Sequence, residues 1–309
     1  MKRALLRKLG PLAVSLVLIV GAIATVNKYE SFFYLRGDVR VGINGILPGW
    51  SNCSVSCSTS DATGFDVQLV KFLAEKYNFS PVFKVLAPDE RERALVNGEI
   101  DLVVANFSMD GISSVDPTKK RREKVNFAGP YFLDQSGVMY SKAKRDKYYK
   151  DDPTFALEHP NALPPDRICL SKGTTAPDYL NGKGRVMDQK DCFSSFGKSE
   201  DPILGAITDE TILRAYSKAH YPEMSAAPAI WEGQSVPIHK EKYGIGTSKD
   251  DSRLCHLLAQ GIEEFLSDPD NTGRDRSRWQ LAFDDNLAAS VETSAAEHRP
   301  KKVESFYCD

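Results

Sequence analysis

The sequence predicts an α/β fold, a parallel sheet with helices over both faces, and three observations in one stretch carry that expectation. The run Ile100 to Ala105 is apolar except for Asp101, the pattern of a strand covered on both sides. A short helical segment opening at Glu90 stops at Gly98 just before it, so helix and strand alternate along the chain. The strand then opens into Asn106, Phe107 and Ser108, at the carboxyl end where open α/β sheets hold ligands. Arg121 follows closely enough to meet an anion at that crevice.

The totals narrow the class. A chain of 309 residues holds two domains of ordinary size or one large one. Its formal charge of −2 makes no basic field, which speaks against nucleic acid as a partner. Six cysteines in an exported chain allow up to three disulfides; in a cytosolic chain they would read as thiols or metal ligands. The N-terminus indicates export, because Lys2, Arg3, Arg7 and Lys8 precede an uncharged run from Leu9 to Val26. Ala22-Ile23-Ala24 resembles a small-x-small cleavage site, yet the run is ~18 residues, close to the lower bound for spanning a bilayer. Residues 1–26 are therefore a signal peptide or a membrane anchor, with retention slightly preferred. No Cys stands at the end of the run to accept a lipid.

Residues 27–37 form a spacer, and Asp38 to Ile43 alternates as a first strand before the turn Asn44 to Gly49. Cys53 and Cys57 frame a Ser-rich loop and read as a local disulfide, since a metal site would need more Cys or His nearby. Asp66 reads as the N-cap of a helix whose apolar stripe is Val67, Val70, Leu73, Ala74 and Tyr77. Ser80 to Leu86 is a strand, Arg91 opens the next helix, and Arg93 and Glu99 read as solvated surface. Lys142 to Pro165 is charged and Pro-containing, a loop or short helix. Arg167 to Leu170 is a strand, and Lys172-Gly173-Thr174-Thr175 leads into a helix near Ala176. Free N–H groups at that helix start, with two hydroxyls, offer an anion site. Arg185 to Met187 is a further strand; Cys192 follows it, on or near a strand beside that of Cys169, and the two are paired. Gly205 to Asp209 is a buried strand ending in a carboxylate, with a helix from Glu210 to Ala219; on residues alone Asp209 reads as an N-cap. Tyr243 to Gly246 is a strand and Ser252 to Leu266 a helix, and the Trp279 segment follows. Residues 286–309 are a polar tail in which Cys308 pairs with Cys255, leaving no odd thiol.

Several of these segments occur in a familiar order. Leu95-x-x-Gly98-x-x-Asp101 precedes the buried strand, and Arg121-x-x-x-Val125-x-Phe127 runs into Ala128-Gly129-Pro130-Tyr131. Gly64-Phe65-Asp66 opens a helix, Gly173-Thr174-Thr175 follows a strand, and Tyr243-Gly244-Ile245-Gly246 stands near the end. From about Asp38 to Phe283 the chain resembles the bacterial extracellular solute-binding proteins, family 3, the substrate-binding components of polar amino-acid ABC importers of the glutamate/glutamine type. The resemblance implies a two-lobe, periplasmic-binding-protein-like (type II) α/β fold with two hinge crossings, Pro130 to Met139 and Val236 to Glu241. Lobe 1 would comprise residues 38–133 and 240–285, and lobe 2 residues 134–239.

It also implies a ligand set. Arg121 would clamp the α-carboxylate with Thr174 and Thr175, Asp209 would take the α-ammonium, and Ser108 would touch the ligand from the strand end. Asn44 and Arg91 would reach the ligand side chain, with Asn106 and Phe107 at the strand end. The segment Met109 to Lys120 is longer than in the family, which leaves Arg122 as the alternative clamp; Glu210 is the alternative to Asp209. Arg91 suggests glutamate, glutamine or aspartate, whereas Asn44 stands where glutamate-binding relatives often carry Lys. The implied protein is a monomer without cofactor or metal. It would be secreted or anchored to the outer face of the cell membrane, and would deliver its ligand to ABC permease subunits. A membrane-anchored amino-acid sensor is one alternative. A dehydratase-like enzyme on the same fold is another, disfavoured because none of the five His pairs with a carboxylate or Cys in the sequence.

Overall fold

Residues 37–53, 60–151, 163–195, 202–229, 239–267 and 276–309 are described by the structure, a computed structural model. The N-terminal basic and apolar run and Cys57 lie outside them, as does most of the second crossing before His239. Among the described residues no helix is long and apolar enough to cross a membrane.

The strands are β1 Gly37–Ile43, β2 Ile46–Leu47, β3 Ser51–Asn52, β4 Phe79–Val85, β5 Leu102–Val103, β6 Val125–Tyr140, β7 Ile168–Ser171, β8 Arg185–Met187, β9 Gly205–Asp209, β10 Ser225–Pro228 and β11 Lys240–Ser248. The helices are α1 Phe65–Tyr77, α2 Arg91–Val96, α3 Lys142–Tyr148, α4 Ala176–Tyr179, α5 Gln189–Ser194, α6 Glu210–His220, α7 Ser252–Ser267, α8 Arg278–Asn286, α9 Ala288–Val291 and α10 Ala295–His298. The large sheet runs β4-β1-β5-β11-β6-β9-β7-β8, with β10 also on β6. At one end β4, β1 and β5 are parallel, and at the other β9, β7 and β8 are parallel. Between them β11 and β6 run antiparallel to their neighbours. The strand β6 belongs to both ends, pairing β11 through Val125–Gln135 and β9 through Ser136–Tyr140. It is one physical crossing between the lobes.

The strand at the centre of the sequence argument is covered on both faces. Leu102 and Val104 join the core cluster that includes Phe65, Leu73, Phe265 and Trp279, whereas Val103 and Ala105 join Leu95, Phe107 and Phe127. Alternate side chains therefore enter two different cores, as the strand period of two requires. The ladder itself is shorter than the apolar run, only Leu102–Val103, because the chain leaves the sheet to form the site.

The helix α1 buries the whole expected stripe, and its end is set by Asn78 in the left-handed conformation, whose N–H donates to Ala74 O. Its cap differs from expectation. Gly64 occupies the N-cap position without a side-chain hydrogen bond, and Asp66 lies inside the first turn, fully buried. There Asp66 accepts a hydrogen bond from the Tyr131 hydroxyl at 2.9 Å, so its role is tertiary. Cys192 lies on α5 beside β7, its Cα 5.6 Å from that of Cys169, and the disulfide between them ties that helix to the strand.

The polar tail is packed. Val291, His298 and Cys308 are buried, and His298 stacks on Phe132 with ring centroids 5.0 Å apart. The Cys255–Cys308 disulfide fixes the end of the chain to α7. Just past α9, Glu292 pairs with Arg214 of α6 at 2.9 Å, and from α9 Ala289 O accepts from Lys218 of α6.

The hinge end of lobe 1 is filled with aromatic rings. Trp50 meets Phe132 and Tyr243 edge-on at 4.6 and 5.6 Å, and Trp279 stacks on Phe283 at 5.3 Å. The Trp279 indole N–H donates to Tyr131 O at 2.8 Å. Trp279→Ala is expected to lower unfolding stability by about 3–5 kcal/mol in chemical denaturation. Val186→Ala, on an exposed strand position, should change it by less than about 0.5 kcal/mol.

Candidate functional site

The site forms where β5 leaves the sheet. Asn106 takes a left-handed backbone (φ 50), which turns the chain away from the strand, and Ser108 bridges to Tyr243 of β11. From this loop, from the turn around Arg121 and from the starts of α2, α4 and α6, side chains converge on a small polar cavity between the lobes. Arg91, Asn106, Ser108 and Arg121 line it from one side. Gly173, Thr174, Thr175 and Asp209 line it from the other. The space left is about 20 Å³, on the order of one water molecule.

Arg121 is the best-defined member. It is 3 % exposed, and its guanidinium lies over the Phe107 ring at 4.7 Å. One terminal nitrogen donates to Ser108 O at 2.9 Å within lobe 1, the other to Gly173 O at 3.3 Å across the cleft. Among the described residues its Nε has no hydrogen-bond partner, and Glu92 pairs with it loosely at 3.9 Å. Burial pulls its pKa down from the usual arginine value, and the carboxylates of Glu92 and Glu241 oppose that. Gly173 permits this approach. Its φ is +77, and a Cβ there would come within 2.4 Å of the Asp89 backbone. Arg122 points elsewhere, half exposed, with Asp110 at 3.9 Å and its cation over Tyr307.

Arg91 is also buried. Its pKa is lowered to about 10, first by burial and then by Arg121, with Asp66, Tyr131 and Asp209 opposing. Its Nε and both side-chain polar atoms of Asn106 lack partners among the described residues. Buried donors and acceptors without partners in a cavity wall are what a polar ligand satisfies.

Asp209 ends β9 and caps nothing, for its side chain makes no bond to the first turn of α6. It accepts from the Tyr243 hydroxyl instead, and Tyr243 lies 3.0 Å from Asp134 as well. A phenol has one hydrogen, so one of the two contacts needs a proton on a carboxyl group. Burial first, and then the Asp134 charge, push Asp209 up to about 7. Burial likewise raises Asp134 to about 7, although Thr211, Tyr243 and the Gln135 N–H favour its ionised form. Such a pair titrates as a unit. Glu210 is buried too, but is engaged by Gln135 and by Arg214 at 2.6 Å, away from the cavity.

The other expected site residues divide. Thr174 and Thr175 line the cavity, but the Thr174 hydroxyl donates to Ser171 O at 2.7 Å and that of Thr175 to Glu241. Phe107 does not line it, serving as the platform under Arg121. Asn44 stands outside it too. Its amide donates to Gln189 Oε1 at 3.0 Å, and the pair separates the cavity from an outer groove of about 470 Å³. Sequence reasoning missed Gln189, Thr208, Leu47 and Ile212 in the wall, and Glu241 beside it. Gln189 sits in the charged string Asp188-Gln189-Lys190-Asp191, which reads as surface.

Across the cleft, Lys172 pairs with Asp89 at 2.9 Å and the Ile112 N–H donates to Asp178 at 2.9 Å. The lobes therefore meet, held largely by polar contacts.

The chain is similar in sequence and fold to known proteins. A glutamate-binding protein GluB of Corynebacterium glutamicum is 28 % identical over 245 residues, covering 75 % of each chain. A probable histidine-binding protein of Campylobacter jejuni is 24 % identical over 215 residues, covering 68 % of this chain and 73 % of the relative. The fold matches that of the solute receptor for L-cysteine of Neisseria gonorrhoeae, with a TM-score of 0.63 at 19 % identity over 90 % of this chain and 99 % of that one. Residues 43–272 match a single family over most of the chain, and the protein belongs to the bacterial extracellular solute-binding proteins, family 3.

Proposed function

We propose that the chain binds one polar amino acid in the interlobe cleft, outside the cytoplasm, and delivers it to the membrane subunits of an ABC permease. The observation that carries this reading is the pairing of opposite charges across one cavity. Arg121, with an unpartnered Nε, comes from lobe 1 and Asp209 from lobe 2, and both are buried. An amino acid is a zwitterion, and burying either of its charges unpaired would cost several kcal/mol. A guanidinium at one pole and a carboxylate at the other remove that penalty, and the ligand then bridges the lobes. With so little space between the lobes, entry requires that they separate first.

Arg91, Asn106 and Gln189 face the remaining part of the cavity and suit a side chain ending in a carboxylate or carboxamide. Glutamate, glutamine and aspartate are the leading ligands on this reading. The similar proteins are described as binding glutamate, histidine or cysteine, so a panel is required. The basic and apolar N-terminal run supports an anchor on the outer membrane face or a cleaved export signal.

Thermal shift against the twenty amino acids is expected to single out one or a few ligands, and no response to any would overturn the assignment. With the ligand found, Arg121→Ala should weaken its binding by about 100-fold or more in calorimetry, while Arg122→Ala should stay within about twofold. The reverse result would transfer the clamp to Arg122. A separate measurement addresses the ammonium. Wild-type protein should prefer the amino acid over its 2-oxo acid analogue by about tenfold or more, and Asp209→Asn should erase most of that preference. An unchanged preference would remove Asp209 from the ammonium site.

A further inference from the structure

The return strand carries a carboxyl group with no role in the reading above. Glu241 is 1 % exposed, and its two oxygens contact hydroxyls from opposite lobes, Ser108 on one side and Thr175 on the other. We propose that Glu241 is a positioning residue of the ligand site, a neutral carboxylic acid on the hinge that ties Ser108 to Thr175 and holds the cleft closed. The proposal rests on the amino-acid reading for its ligand, but the clasp itself is geometric.

Hydrogen counting supports the neutral form. Ser108 has a single hydroxyl hydrogen, and the Asp110 carbonyl, which can only accept, takes it at 2.8 Å. The second contact of the same oxygen is then made by a proton on Glu241. The other carboxyl oxygen accepts from Thr175, so both hydroxyls are satisfied by one COOH group.

The surroundings agree. On the neighbouring strand Asp134 stands directly opposite Glu241 in register, where two like charges would repel. From β9 comes Asp209, from α4 the Tyr179 ring, with Asp178 near Tyr179 and Arg121, and from the turn before β6 Arg121. On its own strand Tyr243 faces the same acids, and His239 lies 3.6 Å away with its ring stacked on Tyr179. Burial lowers the His239 pKa, so this neighbour brings no compensating charge at neutral pH. Among these groups Arg121 is the one cation, and it is shared with Glu92. Burial, with Asp209 next, pushes Glu241 up to about 8, whereas opening the cleft would return it toward 4.5.

The sign follows from linkage. A group whose pKa is higher in the closed than in the open form takes up a proton on closing, so closure weakens as pH rises between about 4.5 and about 8 and levels off above that. Gln mimics the protonated acid, with one N–H for Ser108 and one oxygen for Thr175.

The test uses the full chain and the amino acid that wild type binds best. Calorimetry at pH 7 in two buffers of different ionisation enthalpy counts protons taken up on binding. Glu241→Gln, which needs no proton to close, should bind more tightly than wild type at pH 7 and take up about one proton fewer. Glu241→Ala should bind about tenfold or more weakly. Spin labels on Val82→Cys and Val186→Cys, exposed positions on opposite edges of the sheet, report the interlobe distance, which should lengthen in Glu241→Ala. An unchanged proton count in the Gln variant, or an Ala variant matching wild type in affinity and distance, overturns the clasp. If Glu241→Ala does not fold, the proton count in Glu241→Gln decides. If wild type binds no amino acid, the functional reading falls while the interlobe distance still tests the clasp.

Discussion

The site depends on one guanidinium held almost without water. Arg121 reaches a carbonyl in each lobe, Ser108 O and Gly173 O, and that geometry requires everything around it. The Phe107 ring supports its face, Glu92 balances its charge from behind, and Gly173 lacks the Cβ that would hold the lobes apart. A buried cation with an N–H left over is costly unless something anionic arrives. The same economy of partners explains why the cavity wall contains an unbonded Asn106 amide and Arg91 Nε.

Opposite this cation the sheet register assembles acids. Asp134 faces Glu241 across the β6–β11 ladder, and Ser136 faces Asp209 across the β6–β9 ladder. Three carboxyl groups thus gather where the two lobes join. Hydroxyls of Tyr243, Thr211, Ser108 and Thr175 separate them. Such a cluster persists because protons are shared and hydrogen bonds are nearly complete.

Much of the architecture could be read from the chain, and the reasons are local. Leu102 to Ala105 declared a doubly covered strand because side chains on both faces had to be apolar, and they enter two separate cores. Asp209 reads on residues alone as a helix cap, which it does not form, and only the resemblance set it at the cleft whose wall it lines. Asp66 was misread as a cap since its partner, Tyr131, is remote in sequence and only the folded core brings them together. Glu241 lay hidden inside Lys240-Glu241-Lys242, a string that looks solvated until pairing turns its middle residue inward. Gln189 had the same disguise. The tail looked polar because its few buried side chains are spaced among charged ones.

That tail has a mechanical consequence. It is stapled to lobe 1 through Cys255–Cys308, yet Glu292 and Ala289 grip α6 of lobe 2. The final segment therefore spans the rear of the pivot like a door stay. Any swing of the lobes must either carry α9 along or strip it from α6, so the travel of the hinge is set in part by residues remote from the cleft.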